Sequence, residues 1–304
     1  MKRILDCQAS DLSALRGDAL KQAIRAGEGR TLVAEVIGSV PPLLGDVSNA
    51  ELARACGADL ILLNWFDVDH PRVEGLPQPE GDEVVAHLRR MVGRPVGINL
   101  EPVDPAAPMA EDRTAIAPGR RLTASSAARA RELGFDFVCL TGNPKTGVSQ
   151  DAIAHGIATV RSVCGQDLLV IAGKMHGAGT AERFDAEGLR HLAARFVDAG
   201  ADVVLFPAPG TVPGVTREGL QPAIEEVHRM GGLVMLTVGT SQEGADEDTV
   251  RRIALESKMA GADLFHLGDA GYPGVALPEN LLAASIALRG RRHAYRRMAA
   301  SVLR

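Results

Sequence analysis

The stretch GADLILLN at residues 57–64 decides the fold, because a glycine that ends a helical pattern leads directly into a continuous apolar strand. Glycine is common where helices end, since the lack of a Cβ permits a left-handed backbone. A Gly-(Ala or Phe)-Asp motif of this kind begins at Gly57, Gly134, Gly200 and Gly261. This recurrence predicts an internally repeated architecture.

Eight apolar strands follow such glycines along the chain. The predicted strands are 31–37, 59–64, 95–100, 136–141, 167–172, 202–206, 233–238 and 263–267, and the glycines are Gly29, Gly57, Gly93, Gly134, Gly165, Gly200, Gly231 and Gly261. The strands are nearly continuous Val, Ile and Leu, which is typical of parallel strands covered on both faces. Eight strand–helix units predict one closed (β/α)8 barrel, a TIM barrel, over residues 1–304. An open, doubly wound sheet is the alternative.

Helical patterns fill the segments between the strands, for example at 48–56, 123–133, 149–163, 185–199, 217–230 and 246–260. Ser48 and Glu51 have the spacing of a capping box. Residues 9–27, within an N-terminal helical extension 1–28, predict an extra helix across the N-terminal mouth of the barrel. Two long connections, 66–81 and 102–122, follow the second and third strands, at the face where barrel enzymes build their sites.

The composition excludes several classes of protein. The 304 residues are 46% hydrophobic and 23% charged, which fits a globular chain with a sizeable core. A net charge of −5 and only 3% aromatic residues argue against nucleic-acid binding. No apolar run reaches the roughly 18 residues that span a bilayer, and no signal peptide is recognisable. We therefore expect a cytoplasmic protein without a membrane partner, and homo-oligomerisation stays possible.

Polar residues inside and after the apolar strands are the candidate functional residues, because a charged or amide group there is costly unless it is paired. Side chains alternate at period two along a strand, so these residues are predicted to converge on one pocket. They are Glu35, Asn64, Asn99, Glu101, Thr141, Asn143, Lys174, His176, Thr237 and His266.

The charged and imidazole groups among them suggest specific roles. Glu35, alone in an apolar strand, is the candidate base, and Lys174 is an electrophile, an imine former or an anion-binding group. A structural Glu35–Lys174 ion pair is the alternative. His176 and His266 are candidate proton partners, or hydrogen-bonded wall residues. Glu35, Glu101 and one histidine would suit a divalent cation, but no HxH or HExxH spacing and no nucleotide-cofactor motif is present.

Two small-residue turns predict an anion site. Many barrels bind phosphate with the backbone of the loops after strands seven and eight, and small residues permit close approach. The residues here are Gly239, Thr240 and Ser241 after strand seven and Gly268, Ala270 and Gly271 after strand eight. Ordinary turn chemistry is the alternative, and Asp269 would repel a phosphate. The loop 141–147 is a further candidate.

Three segments carry a family resemblance: MKRILDC at 1–7, DVSNAELA at 46–53 with the strand segment 57–64, and GRPVGINLEP at 93–102. They resemble an uncharacterised bacterial (β/α)8-barrel family, over most of the chain. Members of that family are loosely labelled haloacid dehalogenase-like hydrolase or phosphoenolpyruvate mutase-like protein. The resemblance implies the fold more than an activity.

The two labels imply different residues. Haloacid dehalogenase-type phosphatases have an Asp-x-Asp pair after their first strand in an open sheet. Asp67 and Asp69 form such a pair here, but it follows strand two and precedes His70-Pro71. The segment 268–274 resembles an Asp-x-Gly-Tyr-Gly stretch of the phosphoenolpyruvate mutase and isocitrate lyase group, but Pro273 breaks the match. The lyase cysteine motif is absent.

We therefore expect a barrel enzyme that acts on a small phosphorylated or carboxylated metabolite. Proton abstraction or carbon–carbon cleavage next to a carbonyl, as in lyases, aldolases and isomerases, fits the candidate residues. A non-catalytic metabolite sensor and a haloacid dehalogenase-like phosphohydrolase are the alternatives.

Overall fold

Eight parallel strands close into a barrel in chain order, as predicted, in a computed structural model that describes residues 2–109, 112–177, 186–271 and 273–304. The strands are β1 Thr31–Ile37, β2 Leu60–Asn64, β3 Val96–Asn99, β4 Phe137–Leu140, β5 Leu169–Gly173, β6 Val203–Pro207, β7 Leu233–Val238 and β8 Leu264–Leu267. β8 pairs with β1 to close the ring. The open-sheet alternative is therefore wrong.

Helices follow the strands on the outside of the barrel. They are α1 Ala9–Ala14, α2 Gly17–Arg25, α3 Asn49–Ala55, α4 Val84–Val92, α5 Ala124–Glu132, α6 Gln150–Cys164, α7 Ala186–Asp198, α8 Arg217–Arg229, α9 Glu247–Ala260 and α10 Pro278–Ala299. The predicted capping box is confirmed, since Ser48 Oγ accepts from the Glu51 N–H and Glu51 Oε2 accepts from the Ser48 N–H. The predicted start of α7 at Asp185 lies outside the described residues.

Two helices, rather than the single one predicted over 9–27, precede β1. The chain leaves helical geometry at Leu15 and Arg16 and turns through Gly17, whose φ is +42°. A Cβ at Gly17 would collide with the carbonyl oxygen of Gln166, so the break also depends on the absence of a side chain. Leu20 and Ile24 of α2 pack with inward-facing strand residues, and α2 therefore covers one end of the barrel core.

The barrel core has an inner and an outer layer, which follow from the alternation of side chains. Val33 of β1, Leu62 of β2 and Ile171 of β5 belong to the inner cluster. Their neighbours in sequence face the helices and belong to the outer cluster. Gly97 lacks a side chain where the ring of Phe137 fills the interior, and a Cβ there would collide with that ring.

Four aspartates fix the start of every second strand. Each aspartate forms two hydrogen bonds with one residue near the start of the preceding strand. The aspartate N–H donates to that residue's carbonyl, and the aspartate carboxylate accepts from that residue's N–H. The pairs are Asp59 with Leu32, Asp136 with Val96, Asp202 with Val170 and Asp263 with Val234, all at 2.8 to 2.9 Å. The predicted repeat of the Gly-x-Asp motif is thus a structural repeat of two strand–helix units.

Each of these aspartates also meets a cationic side chain on an outer helix. In three pairs this helix leads into the strand of the backbone partner, and for Asp59 it is α10, the last helix. The pairs are Asp59 with Arg289 of α10, Asp136 with Arg89 of α4, Asp202 with Arg161 of α6 and Asp263 with His228 of α8. Arg297 adds a second contact to Asp59 at 2.8 Å. One device therefore joins a strand, its neighbour and a helix four times around the barrel.

No helix in the described part of the chain is long and apolar enough to cross a membrane.

Replacing Asp59 by Asn should destabilise the protein severely. The amide can still accept from Leu32, but Arg289 and Arg297, both nearly fully buried, lose their counter-charge. Breaking a buried ion pair costs about 3–5 kcal/mol. Denaturant unfolding measures this change against Asp263→Asn, whose partner His228 is 40% exposed and whose pair contributes less than about 1 kcal/mol. Equal losses in the two variants would contradict the assignment.

His228 is the only one of these four partners that is not an arginine, and its titration should make the stability of the fold depend on pH. The hydrogen bond to Asp263 raises the pKa of His228 above its ordinary value. A raised pKa stabilises the fold below the unfolded-state value of about 6.5, and this contribution is lost as the pH rises through the folded-state pKa.

His228→Arg should therefore flatten the free energy of unfolding across that window, because arginine stays charged. His228→Gln should flatten it as well, at a lower stability. If the free energy of unfolding of the parent changes with pH no more than that of His228→Arg, the His228–Asp263 pair contributes nothing to the pH dependence of stability.

Candidate active site

A cavity of about 320 Å³ opens where the carboxyl ends of the strands meet, the face predicted to carry the site. Its lining residues are Glu35, Ile37, Asn64, Trp65, Asn99, Thr141, Gly142, Asn143, Pro144, Met175, His176, Gly239, Ser241, Glu243, Gly244, Gly268, Asp269, Ala270 and Gly271. Loops after several different strands contribute to it, so the barrel geometry brings residues distant in sequence into one wall.

Glu35 and His266 form a buried pair beside the cavity. Both side chains face the barrel interior, and the Nε2–H of His266 donates to Glu35 Oε2 at 2.7 Å. Burial raises the pKa of Glu35, while the hydrogen bond from His266 opposes that shift. His266 Nδ1 has no hydrogen-bond partner within the described structure. A carboxylate bonded to an imidazole in a cavity wall can take up and pass on a proton.

Three asparagines form a network on the other side. Asn64 Nδ2 donates to Asn143 Oδ1 at 2.9 Å and to Asp269 Oδ2 at 3.0 Å. Asn143 and Asn99 both donate to Asn64 Oδ1, at 3.1 and 3.2 Å. Asn99 Oδ1 has no hydrogen-bond partner among the described residues. The network fixes the orientation of the amides, and leaves one buried acceptor that a ligand's hydroxyl could use.

Glu101 supports this network from behind and does not line the cavity. Its carboxylate accepts from the Asn143 N–H at 2.9 Å, from Asn143 Nδ2 at 2.8 Å and from Arg120 at 2.8 Å. The Arg120 guanidinium lies over the ring of Trp65, 5.4 Å from its centroid. Glu101 therefore positions Asn143 rather than offering its own oxygens to a ligand.

Lys174 and His176 differ in their access to the cavity. Lys174 is buried, continues the outward-facing row of Val170 and Ala172, and its Nζ donates to the Val148 carbonyl at 3.0 Å. Lys174 is not among the cavity-lining residues, whereas His176 is. Burial, together with the charge of Lys174, lowers the pKa of His176 to about 4. His176 is thus a neutral imidazole at neutral pH.

The two threonines also differ. Thr141 lines the cavity, and its hydroxyl has no hydrogen-bond partner in the described structure. Thr237 donates its hydroxyl to the Phe206 carbonyl at 2.9 Å and does not line the cavity. Thr141 is therefore a candidate for ligand contact, while Thr237 joins two strands.

The predicted phosphate loops reach the cavity, and two of their N–H groups are used within the chain. Gly268 donates to the Val238 carbonyl at 2.8 Å, and Gly271 donates to Asp269 Oδ1 at 2.7 Å. Thr240 turns its hydroxyl to the Thr211 carbonyl. The remaining predicted phosphate-binding residues, Gly239, Ser241 and Ala270, line the cavity. Tyr272, also part of the second turn, lies outside the described residues. The phosphate site therefore stays a prediction.

The sequence alone did not identify Trp65 or Glu243 as site residues. Trp65 follows the end of β2, at a left-handed φ of +56°, which holds it against the cavity. The single tryptophan directly after a strand-ending asparagine was an available signal. Glu243 belongs to a short helical turn, Gln242–Gly244, whose inward course no sequence pattern indicates.

The metal hypothesis finds no support in the described ranges, which contain no cluster of three or more His, Cys, Asp or Glu able to hold an ion. The Glu101 carboxylate accepts hydrogen bonds from Asn143 and Arg120, and the Glu35 carboxyl group is hydrogen-bonded to His266. The alternative of a Glu35–Lys174 ion pair is not found, since Glu35 has His266 as its partner instead.

The fold and the cavity together define a TIM-barrel protein with a candidate active site at its C-terminal face. The chain belongs to the family described as "Domain of unknown function (DUF7916)", which it matches over residues 5–304. No curated protein sequence matches the chain.

Several solved structures are similar in fold. A Schiff base-forming fructose-1,6-bisphosphate aldolase is 15% identical, with a TM-score of 0.52, covering 86% of this chain and 94% of its own. An archaeal fructose 1,6-bisphosphate aldolase is 13% identical at the same TM-score of 0.52, covering 86% and 95%. A multifunctional pyruvate carboxylase from Rhizobium etli is 11% identical, with a TM-score of 0.52, covering 97% and 30%. At this identity the similarity shows the barrel fold alone.

The haloacid dehalogenase-like label is wrong, because that fold requires an open sheet and this sheet is closed. Asp67 does not face the cavity, and its Oδ1 accepts from the Asp69 N–H at 2.9 Å in a turn. The structure thus explains the Asp-x-Asp pair as loop chemistry.

Replacing Lys174 by Met should raise the pKa of His176 above about 4, because one of the two causes of its lowering is removed. Burial remains, so the pKa should stay below the ordinary value of about 6.5. An NMR titration of the imidazole C–H protons measures it. Lys258→Met, on α9, is the control and should leave His176 unchanged. A Lys174→Met titration that coincides with that of the parent would contradict the placement.

Proposed function

We propose that the protein is an enzyme that moves a proton next to the carbonyl group of a small metabolite, in an isomerase- or lyase-type reaction. Glu35 is the base, and His266 is its proton partner. The observation that carries the proposal is the 2.7 Å hydrogen bond between Glu35 Oε2, in the wall of the cavity, and His266 Nε2. His266 is fully buried behind Glu35 and does not itself line the cavity. The alternation of residues along β1 and β8 places both groups at the same interior site.

The environment of Glu35 suits a general base. Burial raises its pKa toward the pH at which a base is most effective, and the bond from His266 favours the ionised form. This bond uses Oε2, which leaves Oε1 for the proton of a substrate. The fixed imidazole orients the carboxylate, so little reorganisation is needed when the proton moves.

The opposite wall supports recognition of carbonyl and hydroxyl groups. Asn99 Oδ1 and Thr141 Oγ1 are buried polar atoms without partners in the described structure, and buried polar atoms are normally hydrogen-bonded. His176, neutral because of its low pKa, can donate a hydrogen bond to an oxygen that gains charge. A substrate with a carbonyl beside a hydroxyl group would meet all three.

The charge of the substrate stays a prediction. The described cavity lining includes Glu35, Glu243 and Asp269 and no lysine or arginine, which does not favour a multiply charged anion. Carbon–carbon cleavage through an imine is likewise less supported than proton transfer, because Lys174 faces the Val148 carbonyl rather than the cavity. The aldolase-like folds add no argument on chemistry, since their likeness reaches the fold only.

Deuterium exchange tests the proposal without a known substrate. The protein is incubated in D2O with pyruvate, hydroxypyruvate, dihydroxyacetone or glyceraldehyde, and NMR follows the loss of C–H signals next to the carbonyl. Glu35→Gln should slow the exchange about 10²- to 10⁴-fold, the usual contribution of a general base. His266→Gln should slow it too, because the carboxylate loses its partner.

Glu279→Gln, on the exposed start of α10, is the matched control and should exchange like the parent. A parent protein that is stabilised by one of these compounds but never exchanges its protons would contradict the enzyme and favour a metabolite sensor.

A further inference from the structure

Glu243 is a buried acid in the cavity wall that has no role in the proton transfer proposed for Glu35 and His266. Its side chain is only 6% exposed, and it lines the same cavity as Glu35. Oε2 has no hydrogen-bond partner within the described residues. A buried carboxyl oxygen without a partner is costly, and such groups concentrate at functional sites.

The backbone around Glu243 is held rigidly from behind. Asn280 of α10, itself buried, donates from Nδ2 to the Glu243 carbonyl at 2.9 Å and to the Ala245 carbonyl at 2.8 Å. The Gly244 N–H donates to the Ser241 carbonyl at 3.0 Å. The turn that presents the side chain to the cavity is therefore held by Asn280 and by the Gly244–Ser241 hydrogen bond.

The space beside Glu243 is also kept open. A Cβ at Gly268 would lie 2.8 Å from the Val238 carbonyl oxygen and 3.4 Å from Glu243 Oε1. Glycine at this position, the first residue after β8, lets the carboxyl lie against the backbone. Two predicted phosphate-loop residues, Gly268 and Ser241, thus shape the surroundings of an acid.

The charges around Glu243 favour its protonated form. Burial raises its pKa, and Asp269 and Glu35 raise it further, while only His266 and a hydrogen bond to its own backbone oppose the shift. Burial raises the pKa of Glu35 as well, but Glu35 also has a hydrogen bond with the His266 side chain, which opposes the shift, whereas Glu243 Oε2 has no partner within the described residues. Two carboxyl groups in one cavity with such different partners can take the roles of base and acid.

We propose that Glu243 is a second proton-transfer residue of this cavity, the acid that protonates the substrate oxygen while Glu35 removes the proton from carbon. This proposal rests on the proposed function. Glu35 takes the proton, the C–H electron pair becomes the C=C bond of an enol, and the carbonyl electron pair takes the proton of Glu243. With a carbonyl beside a C–OH group this enol is an enediol. Glu35 then gives its proton to the former carbonyl carbon, and Glu243 takes the proton of the other hydroxyl group, whose oxygen becomes the new carbonyl. The isomer is formed and both carboxyl groups are restored.

Glu243→Gln tests this proposal, because the amide keeps the shape and the backbone contacts of Asn280 but cannot give up a proton. In the deuterium-exchange assay with the four carbonyl compounds, the variant should lose about 10²- to 10⁴-fold in rate. The parent's rate should fall as the pH rises through the pKa of Glu243, and the variant should lack this alkaline limb. Glu247→Gln, which makes the same change on the surface of α9, should keep the parent's exchange rate and its fall at alkaline pH.

The possible failures are distinguishable. Exchange that depends on Glu35 but is unchanged in Glu243→Gln would overturn the role of Glu243 and leave the proposed function standing. A parent without any exchange would overturn the proposed function.

A ¹³C NMR titration of the glutamate carboxyl groups needs no substrate and decides the protonation of Glu243 in either case. We expect a signal that titrates above the ordinary range and vanishes in Glu243→Gln. Ordinary or lowered titration of that signal would overturn the proposal.

Discussion

The pairing of four aspartates with the strands that they cap is the constraint on which the rest of the structure depends. Each carboxylate closes a ring with one backbone residue of the neighbouring strand and meets a cation from a helix. A shift of one residue along any of these strands would break the pair and turn every side chain to the other face. The fixed register therefore decides which polar residues reach the interior.

The candidate site is a consequence of this register at the opposite end of the strands. Glu35, two residues beyond the inward-facing Val33, and His266, which is in register with Val33 on the neighbouring strand β8, both face the interior and form a hydrogen bond. The same rule excludes Lys174, which falls on the outward row of β5. Strand parity thus separates the Glu35–His266 pair from a lysine that donates to the Val148 carbonyl.

The barrel could be predicted from the sequence because its signals are local and repeated: a glycine, a short apolar strand and a helix, eight times over. Glu35, His266, Asn64 and Asn99 could be predicted as candidate site residues because they are polar residues in apolar strands. Their partners could not, since the Glu35–His266 bond joins residues 231 positions apart, and the one pairing considered for Glu35 was with Lys174. Glu243 escaped prediction because a loop carries it, and loops lack the period that reveals orientation.

The central claim is that His266 donates its Nε2 proton to Glu35 inside the barrel. NMR of protein with ¹⁵N-labelled histidine tests it most directly, because it reports which ring nitrogen carries the proton and how well that proton is protected from exchange. The account predicts a protected, strongly deshielded Nε2–H signal from His266 that disappears in Glu35→Ala. A His266 ring protonated only at Nδ1, or an Nε2–H signal indifferent to the loss of Glu35, would contradict it.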